Sequence, residues 1–175
     1  LHRPGGVVLT EAGLGIGVAA VGKEIAGGAL VGHRAFAALG NLRPISRPMS
    51  QRASDLLTLT REGLYCPLGR FHVDPTRPVE RALITHGHAD HARAGHGTVL
   101  ATPETLRIMA VRYGEDFCTT RQEARLGERM RIGDVTVFFA PAGHVLGSAQ
   151  IAIERDGKRI VVSGDYKRAP DPTCL

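Results

Sequence analysis

The segment Thr85-His86-Gly87-His88-Ala89-Asp90-His91 packs three imidazoles and a carboxylate into the six positions from 86 to 91. A single histidine is readily a core or surface residue. Four ligand-type side chains at this spacing are not explained that way. Neutral imidazole offers a nitrogen lone pair near pH 7, and with carboxylate oxygen it forms the usual zinc ligand set, at about 2 Å from the metal. The run before it, Arg81-Ala82-Leu83-Ile84-Thr85, is apolar and β-like. Strand alternation then turns His86 and His88 the same way, onto one metal. Asp90 and His91 fall where the chain is expected to turn into a helix. There Asp90 suits the N-terminus, and the pair reaches a second metal beside the first.

The surrounding chain has the texture of an α/β domain. Short β-like runs stand at Leu56-Leu57-Thr58-Leu59, Gly63-Leu64-Tyr65-Cys66, Arg70-Phe71-His72-Val73 and Val99-Leu100-Ala101-Thr102. Residues 103–113 read as a helix with Pro103 in its first turn. Residues 132–140 form a hairpin turning at Gly133-Asp134, and residues 149–154 and 159–163 form a second one across Asp156-Gly157. His96 reads as a loop residue. Residues 52–175 therefore form the folded domain. Residues 1–48 are a Gly/Ala-rich extension that ends in the Pro-rich stretch from Arg43 to Pro48, expected to be poorly ordered or to reflect a start codon placed too far upstream.

Two glycine motifs in that extension are decoys. Gly17-Val18-Ala19-Ala20-Val21-Gly22-Lys23 opens like a phosphate-binding loop, but Glu24 stands where a magnesium-binding hydroxyl belongs. Gly15-Ile16-Gly17-Val18-Ala19-Ala20 fits a dinucleotide fingerprint, yet no acidic residue follows at the distance needed to hold a ribose. The net charge of +5 over 175 residues and the pI near 9.6 lean toward a polyanionic partner such as nucleic acid. Cys66, Cys118 and Cys174 lie too far apart for a thiolate zinc site or a disulfide framework, so a reducing, cytoplasmic setting is expected. No apolar run approaches the ~20 residues that cross a bilayer, and no secretory signal is evident.

The motif His-x-His-x-Asp-His after a hydrophobic strand resembles the metallo-β-lactamase fold superfamily. Further words extend the likeness. Asp74 in Phe71-His72-Val73-Asp74-Pro75 resembles the superfamily's first motif, the Asp that supports the metal loop. Gly143-His144-Val145-Leu146-Gly147-Ser148-Ala149 resembles the third motif and Ser163-Gly164-Asp165-Tyr166 the fourth. The Leu-Gly-Ser-Ala tail and the Asp165-Tyr166-Lys167-Arg168 word are similar to the nucleic-acid-processing branch, which includes mRNA 3′-end cleavage factors and β-CASP nucleases. Within it, Tyr65-Cys66-Pro67, Val73-Asp74-Pro75, the stretch from His88 to Arg93 and the stretch from Asp165 to Cys174 look most like the bacterial ligase-associated DNA exonucleases.

The resemblance implies the N-terminal part of an αββα metallo-β-lactamase sandwich, incomplete at its C-terminus, holding two Zn²⁺ (Mn²⁺ being an alternative ion). His86, His88 and His144 are implied to hold one metal and Asp90 and His91 the other, with Asp165 bridging. Asp90 and Asp165 are the implied catalytic carboxylates, Asp74 supports the metal loop, and Lys167 and Arg168 contact substrate phosphates. The implied activity is a zinc-dependent exonuclease acting on DNA rather than RNA in repair, beside a ligase or helicase and away from membranes. Three alternatives stay open: an RNA 3′-end processing nuclease, a thioester or lactone hydrolase of the same fold, and a non-catalytic zinc-binding module. Two family features find no match in this chain. No His follows His144 to complete the second metal site, and no β-CASP segment covers the cleft.

Overall fold

The computed structural model describes residues 7–10, 53–169 and 171–172. All of them belong to one unit. Of the glycine-rich stretch 1–48, only strand β1 (Val7–Thr10) is among the described residues, and both glycine motifs lie outside them.

The unit is built on two sheets. After a 3-10 turn at Ala53–Leu56, the strands β2 (Thr58–Leu59), β3 (Leu64–Cys66), β4 (Phe71–Val73), β5 (Arg81–Leu83), β6 (His96–Ala101) and β7 (Cys118–Glu123) lie side by side in chain order. Pairing is antiparallel from β2 to β4 and parallel from β4 to β7. The second sheet holds β8 (Met130–Ile132), β9 (Val135–Pro141), β10 (Ala149–Arg155) and β11 (Lys158–Val162), all antiparallel, with β1 added on β11. Both expected hairpins are present: Ile132 pairs with Val135 across Gly133-Asp134, and Arg155 pairs with Lys158 across Asp156-Gly157.

Side-chain alternation sorts these strands into layers. Phe71, Val73, Leu83 and Leu100 point from the first sheet into a core shared with Val137, Phe139, Ile151, Ile153 and Ile160 of the second. The alternate residues Ala82, Ile84, Val99 and Ala101 point the other way, onto the helix α1 (Pro103–Tyr113) through its buried Leu106 and Met109. Of the expected αββα arrangement, the described residues thus form helix, sheet and sheet. Helix α1 matches its expected span because both ends are signalled locally. The Thr102 hydroxyl accepts the Thr105 N–H at 3.3 Å, Pro103 opens the first turn, and Gly114 at φ 91° closes the last.

Two sequence readings need correction. His96 is not a loop residue; it opens β6, is 2% exposed, and its Nδ1 accepts the Val79 N–H at 3.3 Å. Its neighbours Gly95 and Gly97 look like loop punctuation, but Gly97 is present because a Cβ there would stand 2.7 Å from the Glu80 carbonyl. No helix follows Asp90 either. Residues 89–91 make a single turn in which the His88 carbonyl accepts the Ala92 N–H at 2.7 Å. Strand β7 was not legible at all, since its run Cys118-Thr119-Thr120-Arg121-Gln122-Glu123 is mostly exposed and shows no apolar alternation.

Phe139 sits at 0% exposure between the sheets. Phe139→Ala is expected to cost about 3–5 kcal/mol of unfolding free energy. Urea unfolding checks this, and a loss below about 1 kcal/mol would mean that the two sheets do not depend on this shared core.

Candidate metal centre

Strand direction brings the motif residues to one edge. Asp74 follows the end of β4 and the His86 segment follows the end of β5, at the C-terminal edge of parallel strands where ligand sites gather in open α/β sheets. In the second sheet β9 and β11 each pair antiparallel with β10, so they run the same way. Their C-terminal ends deliver His144 and Asp165 to that edge. A direct link closes the two sheets there, from the Ala149 N–H to the Thr85 carbonyl at 2.8 Å.

The expected first ligand set is assembled. His86, His88, His144 and Asp165 each present one donor atom, and all four atoms lie within 4.8 Å of one another. His88 Nδ1 is 3.1 Å from His86 Nε2 and 3.3 Å from His144 Nε2. Asp165 Oδ2 is 3.6 Å from His144 Nε2 and 3.9 Å from His86 Nε2. Donors held about 2.0–2.2 Å from a tetrahedral zinc stand about 3.3–3.6 Å apart, so this spacing and donor chemistry fit a metal ion. The group can hold one.

Beside it lies a second group. His91 Nε2 is 3.8 Å from Asp165 Oδ1 and 3.7 Å from Asp90 Oδ2. Asp165 therefore turns one oxygen toward each set, and its carboxylate lies between them. The Asp90 side chain is 61% exposed, against 8% for Asp165. Lys167, read as a phosphate contact, pairs its Nζ with Asp171 Oδ2 at 3.0 Å, and Arg168 is exposed.

Asp74 organises the loop without joining either donor set. It follows strand β4 at φ 45°, a left-handed conformation that Asp tolerates better than most residues. This turn sends the carboxylate back toward the His86 segment. Oδ1 accepts the Thr85 N–H at 2.8 Å, while Oδ2 accepts the Thr85 hydroxyl at 2.6 Å and lies 2.8 Å from His91 Nδ1. The histidine contact fixes the His91 ring and directs Nε2 outward to Asp165 and Asp90, as carboxylates do behind metal-binding histidines.

These surroundings divide the imidazoles electrically. Burial, helped by the charges of His91 and His88, holds the His86 pKa down to about 4 against the pull of Asp74 and Asp165. His86 is thus neutral, the form that offers a lone pair. The hydrogen bond to Asp74 outweighs burial at His91 and raises its pKa. At Asp90 burial pulls upward, but a backbone N–H and the imidazoles of His91, His86 and His88 together leave it below the ordinary carboxylate value.

Several supporting residues had been quoted in motifs without a role. Thr85 is the donor that Asp74 grips, and Gly164 is packed against it: a Cβ on Gly164 would meet Thr85 Oγ1 at 2.7 Å. The Leu-Gly-Ser-Ala word builds the His144 turn. The Ser148 hydroxyl accepts the His144 and Val145 N–H groups at 3.0 and 3.2 Å. The Gly147 carbonyl accepts the Thr102 and Thr105 hydroxyls of α1 at 2.6 and 3.1 Å. At the other end of the helix, Arg112 Nη1 donates to the Gly87 carbonyl at 2.5 Å, and a Cβ on Gly87 would strike Ile108 at 2.8 Å. One helix therefore braces both histidine loops.

Asp74→Ala is expected to weaken Zn²⁺ binding roughly 10–100-fold, the usual cost of losing such a supporting carboxylate. Gly164→Ala should weaken it as well, by displacing Thr85. Competition against a chromogenic chelator measures both; unchanged affinity in Asp74→Ala would show that Asp74 does not order the centre.

No known family model matches the chain. It is 31% identical over 107 residues to a probable DNA ligase from Opitutus terrae, covering 60% of this chain and 10% of that protein. It is 30% identical over 133 residues to a ribonuclease from Thermus thermophilus, covering 59% of this chain and 30% of the relative. An RNase J-like protein from Methanocaldococcus jannaschii is 27% identical over 118 residues, covering 57% and 28%. The chain thus spans between a tenth and under a third of the length of these curated relatives.

Proposed function

We propose that this chain carries the metal centre of a nuclease of the metallo-β-lactamase type, a two-zinc phosphodiesterase acting on nucleic acid. The observation that carries the reading is the Asp165 carboxylate, with one oxygen toward the His86–His88–His144 set and the other toward His91. The names of the relatives from Thermus and Methanocaldococcus support a nuclease over a thioester or lactone hydrolase. The basic balance of the chain supports a polyanionic substrate. DNA is the favoured substrate, in repair beside a ligase and in the cytoplasm. Support comes from the likeness to a protein named as a DNA ligase and from the exonuclease-like words around Asp74 and Asp165. RNA is the competing substrate, and it has the two ribonuclease names on its side. No helix among the described residues is long and apolar enough to cross a membrane.

His86, His88 and His144 would hold one ion, Asp90 and His91 the other, with Asp165 shared. Two ions so bound supply Lewis acidity, lowering the pKa of a water and neutralising charge at phosphorus. The chain's own residues do the positioning. Neutral His86 keeps its lone pair available in the neutral pH range, and Asp74 with Thr85 keeps His91 in one orientation. Asp90, exposed and held ionised, is the carboxylate placed to accept at an Oδ atom the proton that the attacking water gives up, and then to return it to the oxygen of the departing strand.

Single-stranded DNA and RNA of one sequence, end-labelled and incubated with the zinc-loaded chain, test the reading alongside an acyl thioester. The DNA strand should shorten, with His86→Ala and Asp165→Ala falling to background and native mass spectrometry showing fewer than two metals per chain in each. Preferential loss of the RNA strand would transfer the assignment to RNA. Turnover of the thioester with both strands intact would end the nuclease reading.

A further inference from the structure

Five large apolar side chains are exposed among the described residues, and two of them, Val111 (90%) and Leu146 (53%), line one concavity. Scattered exposed apolar residues need no explanation; their convergence in a concave site does. The cavity, about 330 Å³, runs along the outer side of α1 and is lined by Glu104, Arg107, Ile108, Val111, Arg112 and Leu146. That is the small end of the range for ligand pockets, about 300–1,000 Å³.

Its position ties it to the metal centre on both sides. Ile108 lies against Gly87, between His86 and His88 in the chain, and Arg112 holds the Gly87 carbonyl. Leu146 stands two residues past His144, in the turn that Ser148 closes. A molecule in the groove therefore touches the walls that position three of the donor imidazoles. Arg107 and Arg112 give the apolar surface a cationic rim, while Glu104, toward the start of the helix, is the one anion lining it.

We propose that this groove seats a nucleobase of the strand presented to the metal centre, a subsite that rests on the nuclease reading above. The occupant must combine an apolar face with a neighbouring anion. A base on a phosphodiester backbone does so: its face packs on Val111, Ile108 and Leu146, and Arg107 takes the adjoining phosphate. Aliphatic packing and one phosphate contact do not read base edges, so recognition is tolerant of sequence. A stacked and paired base cannot enter, so the groove selects single strands over duplex.

Val111→Asp is the informative variant because this side chain is almost wholly exposed and its loss leaves the core intact. Fluorescence anisotropy with a labelled phosphorothioate single strand, which resists cleavage, reads the groove. Cleavage of an end-labelled abasic strand, which has phosphodiesters and no ring to seat, reads the metal centre. In the metal-loaded full chain Val111→Asp should weaken strand binding about tenfold, leaving metal content and cleavage of the abasic strand unchanged. Arg107→Gln should lower the slope of log affinity against log salt by about one. Equal strand affinity in wild type and Val111→Asp overturns the proposal. So does a wild-type preference for duplex, or a Val111→Asp that loses self-association instead, which would give the groove to a second copy of the chain. If Val111→Asp loses strand binding while wild type hydrolyses no phosphodiester, the groove holds nucleic acid and the hydrolase reading falls.

Discussion

Four donor atoms from His86, His88, His144 and Asp165 crowd within 4.8 Å, and this crowding is the constraint on which the rest of the structure depends. Imidazole nitrogens and a carboxylate at such distances must share a proton or a cation, because bare lone pairs facing one another repel. The fold must hold these groups against that repulsion. It does so by fixing the loops that carry them, through backbone carbonyls, hydroxyls and a supporting carboxylate.

That support is shared between layers. Asp74 grips Thr85 and His91 from the end of β4, and the Thr85 carbonyl takes the Ala149 N–H from the second sheet. Gly164 packs on the same threonine and leads directly into Asp165. Helix α1 holds the Gly147 carbonyl near its start and the Gly87 carbonyl near its end, fixing the two histidine loops relative to one body. The glycines in these loops are places where backbone meets a neighbour too closely for a Cβ, and the motif words record that contact.

The same arrangement shapes the approach to the site. Because α1 must come close to both loops, its outer side with Val111 and Arg107 borders the cleft and faces solvent beside Leu146. A helix recruited for bracing thus also supplies surface next to the candidate metal centre, at the sheet edge where ligands bind in open α/β folds.

Residue chemistry and order were legible in the sequence, because ligand types, the Pro103–Tyr113 helix signals and the two hairpin turns are properties of a few neighbouring residues. The His86–His91 cluster reads directly for that reason. Strand β7 and the burial of His96 were not legible, since exposed parallel pairing and a backbone N–H 17 residues away leave no periodic trace. The tertiary structure alone decided that His144, 56 residues beyond His88, reaches it at 3.3 Å, and that Asp165 lies between two donor sets. It also gave Asp74, expected to support the metal loop, its particular partners, Thr85 and His91. Those relations depend on strand direction and on the contact between two sheets, and no local stretch of chain encodes either.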